Sequence, residues 1–156
     1  MKRLRMDFIH AIYKLSTKFY KDYGSYEEIL TNEKRSYNCL ILESKEDYFI
    51  CVPFRSEITH KNAYLFKNSN RSKTHKSGLD YTKIILIKNI DYIGTNGLVD
   101  TDEYVEMIQN IQQICQEVNE YIDGYIKHIE NNNDTKQNTK KYKYTTLKYF
   151  HEILKI

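Results

Sequence analysis

Apolar and polar positions alternate along the chain in several distinct rhythms. SYNCLILES (Ser36–Ser44) and DYFICVPF (Asp47–Phe54) are β-branched and aromatic runs separated only by Lys45 and Glu46, which predicts a β-hairpin. Pro53 then fits a strand end or an edge, where its missing N–H costs no ladder bond. Met6 to Ile12 alternates loosely and suits a first strand or the start of a helix. Ser16 can cap a helix that Gly24 ends, and a second short helix is expected from Tyr26 to Leu30. NAYLF reads as a short strand, KNSNRSKTHKSG as an exposed loop, and YTKIILI (Tyr81–Ile87) as the most apolar strand of the chain. Gly94 and Gly97 mark turns.

At Asp100 the period changes to about 3.6. Tyr104, Ile108, Ile111, Cys115, Val118, Ile122, Ile126 and Ile129 fall on one face of a single long helix. Asp100, Thr101 and Asp102 offer caps and acidic charge at its start. NNNDTKQNTKK reads as a low-complexity linker and YTTLKYFHEILKI as a terminal helix. The expected architecture is one α+β domain over residues 1–156, helical from about residue 100. Its centre is a small curved antiparallel sheet closing toward a barrel, with helices at its flanks.

Composition changes this picture little, because 24 basic and 21 acidic residues leave a net charge of only +3. The distribution matters more. From Arg55 to Lys88 eight basic residues face only Glu57 and Asp80, a local excess double that of the whole chain, suited either to a phosphate backbone or to a solvated loop. Fifteen tyrosines count weakly toward base stacking, since Lys, Ile, Asn and Tyr are all abundant and share A/T-rich codons. Three cysteines without CxxC or Cys/His spacing predict free thiols, no zinc and a reducing compartment. No apolar segment approaches the ~18 residues of a bilayer span, and the N-terminal residues lack a signal-peptide pattern, so a cytoplasmic location is expected.

P-loop, dinucleotide-binding and H-E-x-x-H motifs are missing, and the acidic residues do not cluster in the way that holds Mg²⁺. Phosphodiester chemistry without metal requires RNA, whose 2′-hydroxyl is the nucleophile. It also requires a base, a cation for the phosphorane and an acid for the leaving oxygen. The stretch VPFRSEITHKNAYLF offers Arg55 to grip two phosphate oxygens and His60 to exchange a proton. Ser56 and Thr59 can donate hydrogen bonds there or simply cap the local backbone. In SGLDYTK, Gly78 permits a close backbone approach, Asp80 can pair with Arg55 or Lys83, and Lys83 either reaches solvent or needs a partner. Arg35 is a surface charge or a phosphate clamp. His10, His75, His128 and His151 have no neighbours in sequence that make them chemical.

The elements KRSYNCLIL, YFICVPFRSEITH and SGLDYTKIILI, followed by a long helix, resemble the toxins of type III toxin–antitoxin systems. The likeness is to the ToxN/AbiQ endoribonuclease family, and nearest to its CptN-like branch. It covers roughly Met6 to Ile93 through R-x-Y, P-F-R-S and S-G-L-D-Y. It implies a sheet related to MazF-like toxins (an SH3-like barrel) and metal-independent RNA cleavage to a 2′,3′-cyclic phosphate, with no cofactor. It also implies inhibition by, and processing of, a repeated RNA pseudoknot antitoxin in a closed RNA–protein oligomer with more than one toxin copy. ToxN-like members carry Thr-Ser and a nearby Lys where this chain has Arg55, Ser56 and His60, which leaves the proton carrier open; on its chemistry the expected one is His60, with Arg55, Arg35 and Lys83 as charge stabilisers. The expected catalytic set is Arg35, Arg55, Ser56, His60 and Lys83. RNA contacts are expected from Lys61, Tyr64, Lys67, Arg71, Lys73, Lys76, Ser77 and Asp80. A non-catalytic RNA-binding module using the same face is the alternative.

Overall fold

Residues 11–31, 37–131 and 135–156 are described by a computed structural model. Arg35, His10 and most of the expected Met6–Ile12 strand lie outside the described residues, as does Ser36 at the start of the first hairpin strand.

Strand β1 (Ala11–Leu15) leads into helix α1 (Thr17–Tyr23). The Ser16 hydroxyl caps α1 by accepting the Phe19 N–H at 3.2 Å, and Gly24 closes it with its N–H on Tyr20 O. Tyr26–Leu30 forms turns rather than the expected helix. Five residues between two strong signals leave no room for a cooperative second helix.

The hairpin forms as its sequence implies, from β2 (Asn38–Glu43) and β3 (Phe49–Arg55) in antiparallel register, with Cys39 opposite Pro53 and Glu43 opposite Phe49. Both strands are buried on both faces over most of their length, which is why they read as continuous apolar runs. β3 is an inner strand. Its first half pairs with β6 (Ile85–Ile87) through Phe49–Cys51 and its end pairs with β5 (Gly78–Asp80) through Phe54–Arg55. Pro53 is thus neither at an edge nor at a strand end. It falls in the gap between these two partners, where a missing N–H costs no ladder bond.

β4 (Ala63–Leu65) pairs with β5, and β7 (Ile93–Asn96) pairs with β1, giving the order β4-β5-β3-β2-β1-β7 with β6 beside β3. The strands are antiparallel throughout. The expected strand over YTKIILI is split, because Tyr81–Lys83 is a 3₁₀ turn capped by Asp80. Gly94 lies inside β7 rather than in a turn.

The basic stretch after β4 is not a plain loop. Ser69 caps a short helix, α2 (Asn70–His75), by accepting the Ser72 N–H at 2.8 Å. The long helix is also divided, into α3 (Thr101–Gln109) and α4 (Ile111–Glu130), with a break at Asn110. There the Asn110 side-chain amide donates to Glu106 O at 2.8 Å, the carbonyl that also accepts the Asn110 backbone N–H at 3.1 Å. Within the supposed linker, Thr135 caps α5 (Lys136–Lys141). The terminal segment is a 3₁₀ turn over Thr146–Tyr149 followed by α6 (His151–Leu154).

One apolar core joins the sheet to Phe19, to Met107 of α3, to Ile114, Val118, Tyr121, Ile122 and Tyr125 of α4, and to Leu147 and Phe150. Val118 and Ile122 belong to the expected stripe, whereas Tyr104 and Ile129 are exposed. Cys39 and Cys51 are buried free thiols that pack as small hydrophobes, and burial pushes the Cys39 thiol up to about 12. No helix among the described residues is long and apolar enough to cross a membrane.

Candidate nucleic-acid interface

β3 ends at Arg55, whose Cα partner across β5 is Gly78, so Asp80 two residues along β5 stands within reach of the guanidinium. Arg55 Nη1 donates to Asp80 Oδ2 at 2.7 Å, and His60 Nε2 lies 3.1 Å from Asp80 Oδ1. The carboxylate itself is fully buried, while Arg55 and His60 remain 28% and 33% exposed. Asp80 Oδ1 further accepts the Thr82 N–H at 2.9 Å and the Thr82 hydroxyl at 2.6 Å. One carboxylate therefore caps the 3₁₀ turn that carries Lys83 and also gathers the two chemical side chains of the preceding loop. Burial pushes the Asp80 pKa up, but the contacts with His60, Thr82 and Arg55 outweigh it and hold the group below the ordinary carboxylate range.

The loop between β3 and β4 is fixed by backbone contacts with the end of α2. Glu57, at a φ of 57°, donates its N–H to His75 O, and Ile58 donates to Lys76 O at 3.2 Å. His75 Nδ1 pairs with Glu57 Oε1 at 2.9 Å. His60 is held at its other ring nitrogen as well, because Nδ1 accepts the Asn62 N–H at 3.1 Å. The imidazole thus serves as a brace between the Asn62 turn and Asp80. Its Nε2 has no well-aligned hydrogen bond, being close to Oδ1 but out of line with it.

Beside Arg55 opens a cleft of about 280 Å³ lined by Lys14, Tyr37, Asn38, Phe54, Arg55, Ser56, Arg71, Leu98, Val99 and Asp100. Lys14 and Asn38 are directly opposed across β1 and β2 and so project to one face. Lys14, Arg55 and Arg71 line it with one carboxylate, Asp100, while Arg55 is also paired with Asp80 and Arg71 lies 3.8 Å from Glu103. Asp100 is already engaged, since its Oδ1 accepts the N–H groups of Asp102 and Glu103 at the start of α3. The cleft can therefore hold an anion, with Ser56 and Tyr37 as neutral donors. Lys14, Tyr37 and Asn38 were not anticipated from sequence. The available signal was the β1–β2 register, which cannot be read without the fold.

Lys83 stands apart from this cleft, its ammonium donating to Tyr144 O at 2.9 Å. Desolvation lowers its pKa, with Arg55 nearby adding to the effect and Asp80 opposing it. Tyr37, which lines the cleft, also lines a small hollow with Lys83.

The expected RNA-contact residues divide into two groups. Lys61, Lys67, Lys73 and Lys76 are exposed, and Arg71 is half-exposed. Tyr64, Ser77 and Asp80, expected at the RNA surface, are instead buried. The Tyr64 ring packs edge-on against Phe66 at 5.6 Å and its hydroxyl donates to Glu106 Oε2 at 2.8 Å, so it offers no face to a base. The Ser77 hydroxyl donates to Glu103 Oε2 at 2.6 Å. Asp80 positions cations rather than meeting RNA.

Two buried carboxylates of α3 fasten the basic stretch to the body. Glu103 Oε2 also accepts the Ser69 hydroxyl at 2.8 Å, with Arg71 Nη1 3.8 Å from its other oxygen. Glu106 accepts the N–H groups of Lys67 at 2.9 Å and Asn68 at 3.0 Å. Elsewhere His151 Nε2 meets the Tyr125 hydroxyl at 2.5 Å, and His128 stacks on Tyr142. Among the described residues no group of three or more His, Cys, Asp or Glu side chains is placed to hold a metal ion. Comparison of the chain with protein-family models, with curated proteins and with solved structures finds no match.

Proposed function

We propose that this chain binds and cleaves RNA without a metal, as an endoribonuclease toxin of the type III toxin–antitoxin kind, in the cytoplasm and under control of a repeated pseudoknot RNA. The observation that supports this reading is the convergence of Arg55 and His60 on buried Asp80, at the edge of a cleft holding Lys14, Ser56 and Arg71. The sheet is then a relative of the curled MazF-like sheet.

In this reading the ribose 2′-oxygen bonds to the adjacent phosphorus and the P–O5′ bond breaks, leaving a 2′,3′-cyclic phosphate and a 5′-hydroxyl. Arg55, oriented by Asp80, faces the charge that develops on the phosphorane, with Arg71 and Lys14 on flanking phosphates and Ser56 donating a hydrogen bond. Both ring nitrogens of His60 face protein groups, so His60 is a positioning residue for Asp80 and Arg55 rather than the proton carrier its chemistry first suggests. Lys83, whose charged form the fold disfavours, takes the proton-transfer role by leaving the Tyr144 carbonyl, since in the resting structure its ammonium is held there, apart from the cleft.

The variants separate these roles. Arg55→Ala should lower the cleavage rate by a factor of about 10² or more. Lys83→Arg keeps the charge but not the exchangeable proton, and should cost about 10² to 10⁴. His60→Asn retains an acceptor for the Asn62 N–H but falls short of Asp80, and with no proton carried by the imidazole it should still cost far less than Lys83→Arg. Equal losses in His60→Asn and Lys83→Arg would return the proton to His60. A second reading, a non-catalytic RNA-binding module, draws on the same engaged imidazole; it requires RNA to bind in the cleft yet stay intact on long incubation.

A further inference from the structure

The C-terminal segment carries a basic and aromatic surface that the sequence patterns pass over as linker and terminal helix. Between residues 136 and 149 there are five lysines, Lys136, Lys140, Lys141, Lys143 and Lys148, and no acidic residue. All five are exposed. Lys148 is paired with Glu28 at 3.2 Å and Lys141 lies over the Tyr142 ring at 5.4 Å. Lys143 lies over the Tyr144 ring at 5.3 Å, and Tyr144 is still 59% exposed.

This surface is bolted to the candidate site. The Thr146 hydroxyl donates to Ile84 O and, at 3.3 Å, to Thr82 O, so the segment rides on the turn that follows Asp80. Lys83 donates to the Tyr144 carbonyl from the same turn. Tyr37 lines both the cleft at Arg55 and the hollow that contains Lys83. Lys83 thus ties the turn after Asp80 to Tyr144, beside which Lys143 lies. Alternating ammonium groups and an open ring suit a single strand, whose phosphates meet the lysines while one base stacks. An anionic membrane is disfavoured, since the surface lacks the exposed aliphatic and aromatic stripe that an interfacial helix inserts.

We infer that the surface formed by Lys140, Lys143 and Tyr144 is a second RNA-contact site that holds the strand as it leaves the cleft. This rests on the proposed action on RNA, but its test needs no cleavage. The probes are uncleavable 2′-O-methyl oligoribonucleotides, one of about 4 nucleotides that fills the cleft alone and one of about 12 that spans both surfaces. In Lys140→Ala/Lys143→Ala/Tyr144→Ala the longer probe should bind about tenfold or more weakly, with its salt slope reduced by about 1.4 for the two lost lysine contacts at ~0.7 each. The short probe should bind as it does to the wild type, and cleavage of a short RNA should be unchanged. Single Tyr144→Ala, which leaves every backbone contact intact, should weaken only the long probe. Equal affinity and slope for both proteins on the long probe overturn the inference. So does wild-type protein binding both probes with the same affinity, whatever the outcome for catalysis.

Discussion

Replacing Asp80 with Asn tests how far one buried carboxylate organises the site. The side chain is fully buried, its shape is preserved by Asn, and Oδ1 can still accept both Thr82 hydrogen bonds. What changes is the other atom, where an amide donor now faces the Arg55 donor that approached to 2.7 Å. Breaking one side of a well-buried ion pair costs about 3–5 kcal/mol. Arg55 and His60 are each about one-third exposed, so water takes up part of the lost interaction and about 2 kcal/mol is the reasoned cost. For a domain of this size that lowers Tm by about 4–8 °C at neutral pH. Asp80 has a folded pKa below its unfolded value, so its stabilisation is complete above the ordinary carboxylate range and fades as pH falls through the lowered folded pKa. Thermal unfolding followed by circular dichroism from pH 7 down to about 3 should therefore show the wild-type and Asp80→Asn curves converging at the acid end. A gap that stays constant with pH, or no gap at pH 7, would refute the assignment of Asp80 as a charged anchor.

Other outcomes follow from the same network. Glu106→Ala removes the acceptor of the Lys67 and Asn68 N–H groups and of the Tyr64 hydroxyl, and should cost about 3 kcal/mol; hydrogen exchange should rise over residues 66–77 in particular. Gly78→Ala places a Cβ 2.3 Å from Tyr64 O, so β4 must separate from β5. That substitution should abolish RNA binding at Arg55 before it abolishes the helical far-UV signal. Hydrogen bonding to Asp22 raises the Tyr92 phenol, and burial raises those of Tyr125 and Tyr142, each to about 12. These groups favour the fold below their unfolded value near 10 and withdraw that support as pH climbs toward 12, so phenolate absorbance should appear in step with loss of near-UV circular dichroism. Phenolate formation beyond that of the exposed tyrosines, such as Tyr26, Tyr104 and Tyr144, in a protein that remains folded would contradict the burial of Tyr125 and Tyr142.

Much of the sheet was legible because its strands announce themselves locally. CLIL and FICVPF are too apolar to lie anywhere but between two covered faces, and two charged residues between them leave a hairpin as the short connection. Ser16 and Asp100 were equally legible as caps, since a cap is a contact within three residues. The misreadings share one cause, dependence on partners distant in sequence. Lys67–Gly78 looks like solvated loop until Glu103 and Glu106, more than thirty residues on, supply acceptors for Ser69, Lys67 and Asn68. Those glutamates in turn read as solvent-facing positions of a helix, because a polarity pattern cannot foresee a buried carboxylate whose partners come from another element. Tyr64 was mistaken for a stacking residue on the same ground. At the site, Arg55, His60 and Asp80 were legible as chemistry, and their meeting follows from the β3–β5 pairing that sets Arg55 against Gly78. Lys14 and Asn38 were not, since only the β1–β2 register carries them to the cleft.

The most direct test of the central claim is to incubate purified protein with single-stranded RNA in excess chelator and to read the chemistry of the new ends. Cyclic 2′,3′-phosphates and 5′-hydroxyls from the wild type, retained in His60→Asn and lost in Arg55→Ala, are the predicted result. Intact RNA bound in the cleft of the wild type, or 5′-phosphate ends, would contradict it.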